Sequence, residues 1–389
     1  MLSNKVTIGV LCPYSSTYPS LAQDFLHGLM CGLPESLHSE IRIQPEYVKQ
    51  GEPQLVSAAL QKFFAFHQAD VVTGPVSYKT LPEYNSLIEA SGKMALFTDL
   101  GEYLPHPDMI SDYIFNNSFQ YWQAEYAKGV WAQKEFGDRG TVLMPLYEAG
   151  YHMHSAFRHG TEFSGSEVVD YIVIPQDIKQ DKEVTEYVDQ LARHYEKQGR
   201  PSYLNLLFSG KDAIQILKVL AGNSYFDEIP LLVSPHMSSL EMIQQIQGEH
   251  LTMYSASMWN FESTVPENDI FRKKYISSTG TYDNVFSLLG YEVGMAVGIL
   301  YPSLNSKFYA DARRLLKNER LKTPRGERSF YLDSDYATPL IDIEKIQTGG
   351  SKTGRMVISR GQSLPYNHQI YREIHEECVS GWKNPYLCI

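Results

Sequence analysis

The residues of this chain best placed to recognise a small molecule are hydroxyl side chains that follow short apolar runs. The stretch from Ala69 to Ser77 is a β-branched run that ends in Gly74-Pro75, and a helical pattern then runs to Ala90. This order predicts a buried parallel strand, a tight turn and a helix that begins at Ser77. Ligands of open α/β sheets bind at such carboxyl ends of strands. Ser77 is therefore either a ligand-binding hydroxyl or only the N-cap of its helix.

Patterns that would indicate catalysis or metal binding are weak. His152 and His154 lie two residues apart at the start of a predicted helix, where their side chains diverge, so we predict no metal and no cofactor. Lys352-Thr353-Gly354 copies a β-lactamase-like triplet, but the only Ser-x-x-Lys, from Ser380 to Lys383, follows it in the wrong order. The sequence contains no P-loop, no G-x-G-x-x-G and no G-x-S-x-G. We therefore do not predict an enzyme.

Composition and charge narrow the class of partner. The 389 residues are enough for two sizeable lobes, and 43% hydrophobic with 20% charged residues is ordinary for a globular protein. The formal net charge of -11 argues against a nucleic-acid partner, because phosphate binding needs clustered Lys and Arg. The 27 tyrosines suit a ligand cleft, since each joins apolar area to a polar tip.

The order of predicted elements indicates how the candidate residues are positioned. Strand and helix patterns alternate four times between Val6 and Phe97, and a second series between Thr141 and Val233 repeats the plan. This predicts an α/β fold of two doubly wound, Rossmann-like lobes. The apolar run from Val285 to Tyr301, with three glycines four residues apart, predicts a buried helix packed closely on a sheet, and not a membrane span.

The cysteines and the amino terminus bear on the compartment. Cys12 and Cys31 are predicted to be buried free thiols, whereas Cys378 and Cys388 either form a disulfide in an oxidising compartment or remain reduced. The run Val6–Leu11 is too short for a signal-peptide core. We therefore expect the protein to be either cytoplasmic, if residue 1 is native, or an exported protein whose signal segment is not in this sequence.

The ordered set of motifs resembles the type I periplasmic binding proteins of the branched-chain amino acid and amide-binding branch. The similar segments are Ile8–Pro13, Ala69–Ser77, Met94–Phe97, Tyr113–Asn116, Gly290-Tyr291-Glu292 and Thr323–Phe330. The resemblance covers nearly the whole chain. It implies one lobe of residues 1–118 plus 254–328, a second lobe of 119–253 plus 329–389, and a hinge of three crossovers. It also implies that a ligand in the cleft between the lobes stabilises their closed state.

The resemblance further implies ligand-binding positions in the loops that follow the strands. These positions are Tyr14, Ser15, Ser77, Tyr78, Thr98, Asp99, Tyr147, Tyr151, Ser209, His236 and Trp259. Ser77 falls where the family's serine meets a ligand carboxylate or amide. Amino acid-binding members commonly carry a glutamate near the position of His236 for the ligand ammonium, and this chain has no acid there. Asp99 either serves an amine or caps a helix.

The function implied by the resemblance is non-catalytic binding of a small polar molecule, such as an amino acid or an amide. The binding protein would deliver that ligand to an ABC permease in the membrane, acting as a monomer or a weak dimer. The resemblance also implies a periplasmic protein or an exported lipoprotein whose signal segment is not in this sequence. The alternative is a ligand-sensing regulator of the amide-sensor kind, which uses the same fold in the cytoplasm.

Overall fold

The computed structural model describes residues 5–104, 107–166, 169–175, 181–260, 263, 265–330, 340–350, 353–362 and 368–377. These residues divide into two compact units. Unit 1 contains the described residues of 5–119 and 259–330, and unit 2 contains those of 120–258 and 340–377. Along the described chain, three passages therefore join one unit to the other, after residues 119, 258 and 330.

The strands are numbered in chain order. They are β1 (Val6–Cys12), β2 (Ile41–Tyr47), β3 (Val71–Pro75), β4 (Met94–Asp99), β5 (Ile114–Ser118), β6 (Gly140–Pro145), β7 (Val169–Ile174), β8 (Tyr203–Leu206), β9 (Leu231–Val233), β10 (Thr252–Ser257), β11 (Leu321–Thr323), β12 (Gly326–Arg328), β13 (Ile341–Gln347) and β14 (Gly354–Gln362).

The α-helices are numbered in the same way. They are α1 (Leu21–Gly32), α2 (Pro53–Ala65), α3 (Asn85–Ser91), α4 (Tyr121–Phe136), α5 (Met153–Phe163), α6 (Asp181–Gln198), α7 (Gly210–Ala221), α8 (Leu240–Gln245), α9 (Pro266–Thr279), α10 (Val285–Asn305), α11 (Tyr309–Asn318) and α12 (His368–Glu377). Short 3-10 helices occupy Glu35–Leu37, Tyr78–Tyr84, Pro107–Met109, Leu146–Gly150 and Ser224–Phe226.

Unit 1 is built on a parallel sheet with the strand order β2-β1-β3-β4-β5. Every residue of β1, β3 and β4 is buried, which explains why these segments form nearly continuous apolar runs in the sequence. Helix α10 packs against β1, β3 and β5, while α2 packs against β1 and β2 and α3 against β4. The carboxyl ends of all five strands therefore lie along one edge of the sheet.

Two helices of unit 1 interlock through glycines. A Cβ atom at Gly28 of α1 would overlap the carbonyl oxygen of Ser287, and one at Gly290 of α10 would overlap that of Phe25. Gly32 and Gly294 make the same approach one turn further along. Gly290 and Gly294 of α10 therefore pack against the backbone of α1, and Gly298 lies against the Pro34 side chain. Helix α10 as a whole is buried and packs on the sheet, as the sequence predicts.

Unit 2 contains a seven-stranded sheet with the order β14-β13-β10-β9-β8-β6-β7. Strands β6 to β10 pair in parallel, and β13 and β14 add an antiparallel edge. Buried apolar side chains such as Leu204, Leu217 and Met253 form its core. Helices α4 and α5 repeat the glycine contact, because a Cβ at Gly129 would overlap the Phe157 carbonyl and one at Gly160 the Tyr126 carbonyl.

The predicted α/β fold with two Rossmann-like lobes is confirmed. The boundary predicted at residue 254, however, falls inside β10. Met253 and Tyr254 pair with β9, and β10 pairs along its length with β13, so residues 254–258 belong to unit 2. The backbone N–H of Asn116 donates to the carbonyl of Phe330 at 2.8 Å, which ties residues 329–330 to unit 1.

Several smaller predictions can be compared with the described residues. Cys12 and Cys31 are buried free thiols, as predicted, whereas Cys378 and Cys388 lie outside the described residues. By length and composition, α10 is the one described helix that could span a membrane, and 67% of its most apolar stretch is buried inside the protein.

Candidate functional site

Ser77 lies at the carboxyl edge of the unit 1 sheet, directly after β3. The backbone N–H of Val76 donates to the Thr98 carbonyl at 2.8 Å, and that of Tyr78 donates to Asp99 Oδ2 at 3.4 Å. Ser77 is thus fixed between two contacts to the end of β4. Its side chain is 2% exposed and makes no capping hydrogen bond to the 3-10 helix that follows. The helix-cap interpretation of Ser77 is therefore not what the structure shows.

Polar atoms at this edge are buried without protein partners. The hydroxyls of Ser77 and Thr98 and the Oδ1 atom of Asp99 have no hydrogen-bond partner among the described residues. Leaving a buried donor or acceptor unsatisfied costs about 1–3 kcal/mol. Three such atoms on adjacent segments indicate an edge that is prepared for hydrogen bonding to a small molecule or to water.

Asp99 is the titratable group of the Ser77–Thr98–Asp99 edge. It is 5% exposed, and its pKa is raised well above the ordinary range by burial and then by the nearby charge of Glu102. Hydrogen bonding from Ser118 and from the backbone of Tyr78 and Gly101 opposes this increase without cancelling it. A cationic or donor group beside Asp99 would lower the cost of ionising it.

The remaining predicted residues of unit 1 near this edge serve partly structural roles. Ser15 Oγ accepts the backbone N–H groups of Thr17 at 3.2 Å and Tyr18 at 3.0 Å, which orders the loop after β1. Tyr14, in the same loop, is 45% exposed, whereas Tyr78 is buried. Tyr14 is thus the more accessible of these two tyrosines.

The predicted residues of unit 2 form a second polar edge, described here by itself. The Tyr147 hydroxyl lies 3.4 Å from Ser209 Oγ, and Ser209 precedes α7 without capping it through its side chain. Burial and the nearby charge of Glu148 raise the pKa of Tyr147, and burial raises the pKa of Asp212, which is bonded to Tyr147. The structure thus brings Tyr147 and Ser209 together at the ends of β6 and β8.

His236 and Tyr151 are buried at 1% and 3% exposure. The ring of His236 packs edge-to-face on Tyr121, with ring centroids 4.9 Å apart. His236 lies close enough to Glu125 of α4, a residue with 0% exposure, for the two side chains to interact electrostatically. An acid therefore does lie near His236, but α4 supplies it and not the segment around residue 236.

Trp259 packs within unit 1. Its indole N–H donates to Asn268 Oδ1 at 2.9 Å, and its ring lies against Phe119 and Phe271 with centroid distances of 6.4 and 6.1 Å. These contacts account for the burial of much of the side chain. A ligand-binding role for Trp259 remains a prediction.

Other buried polar residues were not selected from the sequence. Both amide atoms of Asn116 in β5 lack partners in the described part of the chain, two residues before Ser118 on the same face of the strand. In unit 2, Lys128 Nζ donates to Glu125 Oε1 at 2.7 Å and to the Val233 carbonyl at 2.8 Å, with both side chains fully buried. The polar run Asn116-Asn117-Ser118, which lies in β5, is the sequence pattern from which Asn116 could have been selected.

No group of three His, Cys, Asp or Glu side chains within the described ranges is arranged to hold a metal ion. The edges described above instead present hydroxyl, carboxylate and aromatic groups. Such groups fix the orientation of small organic ligands.

Comparison with known proteins identifies the family. The model of the periplasmic binding protein family matches residues 5–329. The chain therefore belongs to the periplasmic binding protein family, a family of non-enzymatic binding proteins, which confirms the resemblance drawn from the sequence motifs. A search of curated proteins found no match.

Solved structures share the fold at low identity. The ABC transporter substrate-binding protein from Sphaerobacter thermophilus is 19% identical with a TM-score of 0.77, covering 93% of this chain and 98% of that one. A solute-binding protein of an ABC transporter from Rhodopseudomonas palustris HaA2, in complex with p-hydroxybenzoic acid, is 15% identical with a TM-score of 0.75, covering 93% and 98%.

A third structure is the branched-chain amino acid transporter substrate-binding protein from Streptococcus pneumoniae in complex with isoleucine. It is 14% identical with a TM-score of 0.68, covering 92% of this chain and all of that one. The chemically different ligands in these complexes show that likeness of fold does not identify a ligand.

Proposed function

We propose that this protein binds a small polar molecule and delivers it to an ABC permease. The observation that supports the proposal is the set of buried, unpartnered atoms at the carboxyl edge of the unit 1 sheet, on Ser77, Thr98 and Asp99. A ligand that hydrogen-bonds to these atoms removes their desolvation cost and is thereby bound. Family membership and the ABC-associated neighbours support the role in transport.

Within this proposal, Ser77 is the central contact. Its backbone is held on both sides by β4, so the hydroxyl is already positioned before the ligand arrives. Preorganisation of this kind reduces the entropy that binding must overcome. Thr98 and Asp99 contact the ligand beside it, and Tyr14 and Tyr78 are the neighbouring aromatic groups.

The chemistry of Asp99 narrows the ligand class. The carboxylate has no cationic partner among the described residues, and Glu102 adds to the negative charge near it. A ligand with an amine or an amide N–H group supplies a donor to the unpartnered Oδ1 atom of Asp99. We therefore propose amino acids, amides and related amines ahead of simple carboxylates such as the benzoates bound by some structural neighbours.

On the side of unit 2, we propose that Tyr147, Tyr151, Ser209 and His236 provide further ligand contacts. Tyr147 and Ser209 already share a hydrogen bond at 3.4 Å. A transport role also places the protein outside the cytoplasmic membrane, with the permease as its membrane partner. A cytoplasmic sensor would bind the same ligand without that permease.

A thermal-shift screen against amino acids, short amides, amines and small carboxylates tests the binding function. A ligand specific for the folded state stabilises it by about 2.7 kcal/mol at a hundredfold excess over its dissociation constant. We expect hits among the amine and amide classes. A panel in which only carboxylates raise the melting temperature would contradict the ligand class, and a panel without hits would contradict small-polar-ligand binding.

The variant Ser77→Ala then tests the site. Loss of one hydrogen bond to a polar ligand group is expected to weaken binding about tenfold, measured by calorimetry with the ligand found in the screen. The matched control is Ser36→Ala, an exposed serine in the 3-10 helix Glu35–Leu37. Equal affinities for the two variants would remove Ser77 from the site.

A further inference from the structure

Unit 1 also has a basic pocket at the opposite edge of its sheet, where the strands begin. The pocket has a volume of about 430 Å³. Its lining residues are Lys5, Thr7, Arg42, His67, Gln68, Asp70, Lys93, Lys307 and Tyr309. Four side chains are basic and one is acidic, which gives a local charge of about +3 with His67 neutral, in a chain whose formal net charge is -11. Positive charge is therefore concentrated at this pocket, although the chain as a whole is acidic.

The single carboxylate of the pocket is already satisfied. Asp70 Oδ1 accepts from Lys307 Nζ at 2.7 Å and from the Tyr309 hydroxyl at 2.6 Å, and Oδ2 accepts from the Thr7 backbone N–H at 2.9 Å. Asp70 therefore neutralises Lys307 and has little capacity left for the other cations. Nearby Glu46 is similarly occupied by Lys62 at 2.6 Å.

The other cations have no carboxylate partner. Among the described residues, no acidic oxygen lies within 4 Å of the amines of Lys5 and Lys93 or of the Arg42 guanidinium. Lys93 Nζ donates to the Ala69 carbonyl at 2.6 Å, and Arg42 donates to the His67 carbonyl at 3.0 Å. Each of these groups retains further N–H donors for a ligand.

Burial and a neighbouring cation disfavour the charged form of Lys93. It is half-buried, and burial lowers its pKa; the charge of Lys307 lowers it further, while that of Asp70 partly offsets both effects. Its ammonium lies over the rings of Phe64 and Tyr309, 6.0 and 5.8 Å from their centroids. An anion in the pocket would stabilise the charged form of this side chain.

The backbone conformation at this pocket also indicates a functional site, independently of charge. Gln68 and Lys307 have φ values of 54° and 60°, in the left-handed region that residues other than glycine rarely adopt. Two of the five such residues in the described chain therefore line this one pocket. Strained conformations of this kind persist where the surrounding structure holds them, and they concentrate at functional sites.

We propose that the basic pocket binds a phosphate group. A phosphate group carries one negative charge as a diester and close to two as a monoester near neutral pH, and it offers several acceptor oxygens in both forms. These oxygens match the remaining N–H donors of Lys5, Arg42 and Lys93. The guanidinium of Arg42 suits a phosphate in particular, because its planar fork donates two parallel hydrogen bonds. The phosphate belongs either to a soluble phosphomonoester or to a lipid headgroup. The site is separate from the proposed ligand edge at Ser77.

Binding is measured by calorimetry on the full chain at low ionic strength, with glycerol 3-phosphate as the soluble probe. Co-sedimentation with vesicles of phosphatidylglycerol, and of phosphatidylcholine as the zwitterionic comparison, provides the lipid arm. Saturable binding of glycerol 3-phosphate assigns a soluble ligand, and selective sedimentation with phosphatidylglycerol assigns a headgroup. The proposal is overturned if neither probe binds.

Variants locate the binding. Lys93→Gln is expected to weaken binding about tenfold or more, since it removes the charge from a hydrogen-bonding group of the pocket. Arg42→Gln, at an exposed side chain, provides a second variant in case Lys93→Gln unfolds. Lys322→Gln, an exposed lysine of β11 that does not line the pocket, makes the same charge change and is expected to alter affinity less than twofold.

Two results with these variants would overturn the assignment. Equal weakening by Lys322→Gln and by the pocket variants would show only nonspecific attraction to positive charge. Phosphate binding that is lost in Ser77→Ala would place the phosphate at the other edge of the sheet.

Discussion

Glu292 and Asp99 are both buried carboxylates of unit 1, but their surroundings differ. Glu292 in α10 accepts from Arg325 Nε at 3.0 Å, from Arg325 Nη2 at 2.6 Å and from Asn117 Nδ2 at 2.8 Å. Burial alone would raise the pKa of Glu292, but the charge and hydrogen bonds of Arg325 lower it overall. The pKa of Asp99 is instead raised, and one of its oxygens is unpartnered.

The contrast separates a structural acid, Glu292, from the acid that we propose binds the ligand, Asp99. Arg325 also donates to the Ser118 carbonyl and to Asn117 Oδ1, both at 2.9 Å, and its guanidinium lies 4.2 Å from the centroid of the Phe119 ring. The Glu292–Arg325 pair thus fixes the end of β5, where the chain leaves unit 1. Asp99 contributes no comparable link, so its burial is a cost to the folded protein that a ligand can offset.

The largest expected change in the free energy of unfolding follows the loss of Arg325, the cation that pairs with the buried Glu292. Replacing Arg325 with Met leaves Glu292 buried and without its cation, which is expected to lower the free energy of unfolding by about 3–5 kcal/mol in urea titrations. Arg314→Met is the matched control, because Arg314 pairs with Asp311 on the surface and its side chain is 76% exposed. That control is expected to change stability by less than about 1 kcal/mol. Similar losses of stability for Arg325→Met and Arg314→Met would show that the buried ion pair contributes no more than a surface pair.

Asp99→Asn is expected to raise the free energy of unfolding of the ligand-free protein, whereas Arg325→Met lowers it. The raised pKa means that the folded state retains a proton that the unfolded chain loses above about pH 4, so stability falls as pH rises through this window. Asparagine cannot ionise, and the variant is expected to be about 1–2 kcal/mol more stable at pH 7, with no advantage below about pH 4.

Glu292→Gln provides the comparison, measured by urea unfolding across the same pH range. The pKa of Glu292 is lowered on folding, so its contribution is present above the unfolded value and is lost in acid. We expect Gln at position 292 to destabilise the protein at pH 7. A destabilised Asp99→Asn would instead show that Asp99 is as well satisfied as Glu292.

The smallest expected effect compares two buried threonines of neighbouring strands. Thr73 Oγ1 in β3 donates to the Leu96 carbonyl at 2.6 Å, whereas the Thr98 hydroxyl in β4 has no partner among the described residues. Thr73→Val is expected to lower stability by about 1 kcal/mol, and Thr98→Val to leave it unchanged or slightly raised. Equal losses in thermal unfolding would indicate that Thr98 is bonded after all.

The sequence predicted the edge at Ser77 but not the state of its side chain. The β-branched run and Gly74-Pro75 indicate a strand and a turn, because these residue types restrict the backbone locally. Whether the Ser77 hydroxyl caps the helix that follows depends on its side-chain rotamer, and here it makes no capping hydrogen bond. That choice depends on packing that no local pattern contains.

Features that depend on contacts between distant parts of the chain could not be predicted from the sequence. The pair between Glu292 and Arg325 joins α10 to the turn between β11 and β12, and no spacing rule connects residues 33 positions apart. The hairpin itself was not predicted, since its strands are only three residues long. The assignment of β10 to unit 2 likewise depends on its pairing with β13, almost 90 residues later in the chain.

The interlocked glycines have a consequence for how this protein can evolve. In unit 1 the backbones of α1 and α10 meet at four glycines, and in unit 2 those of α4 and α5 meet at two. Any side chain at these positions would push the helices apart, so the set of permitted residues shrinks to one. Ser77, Thr98 and Asp99, at the carboxyl edge of the unit 1 sheet, take no part in these helix contacts. Under the proposed function, a lineage can therefore exchange these three residues for other groups, and acquire another ligand, while its scaffold stays unchanged.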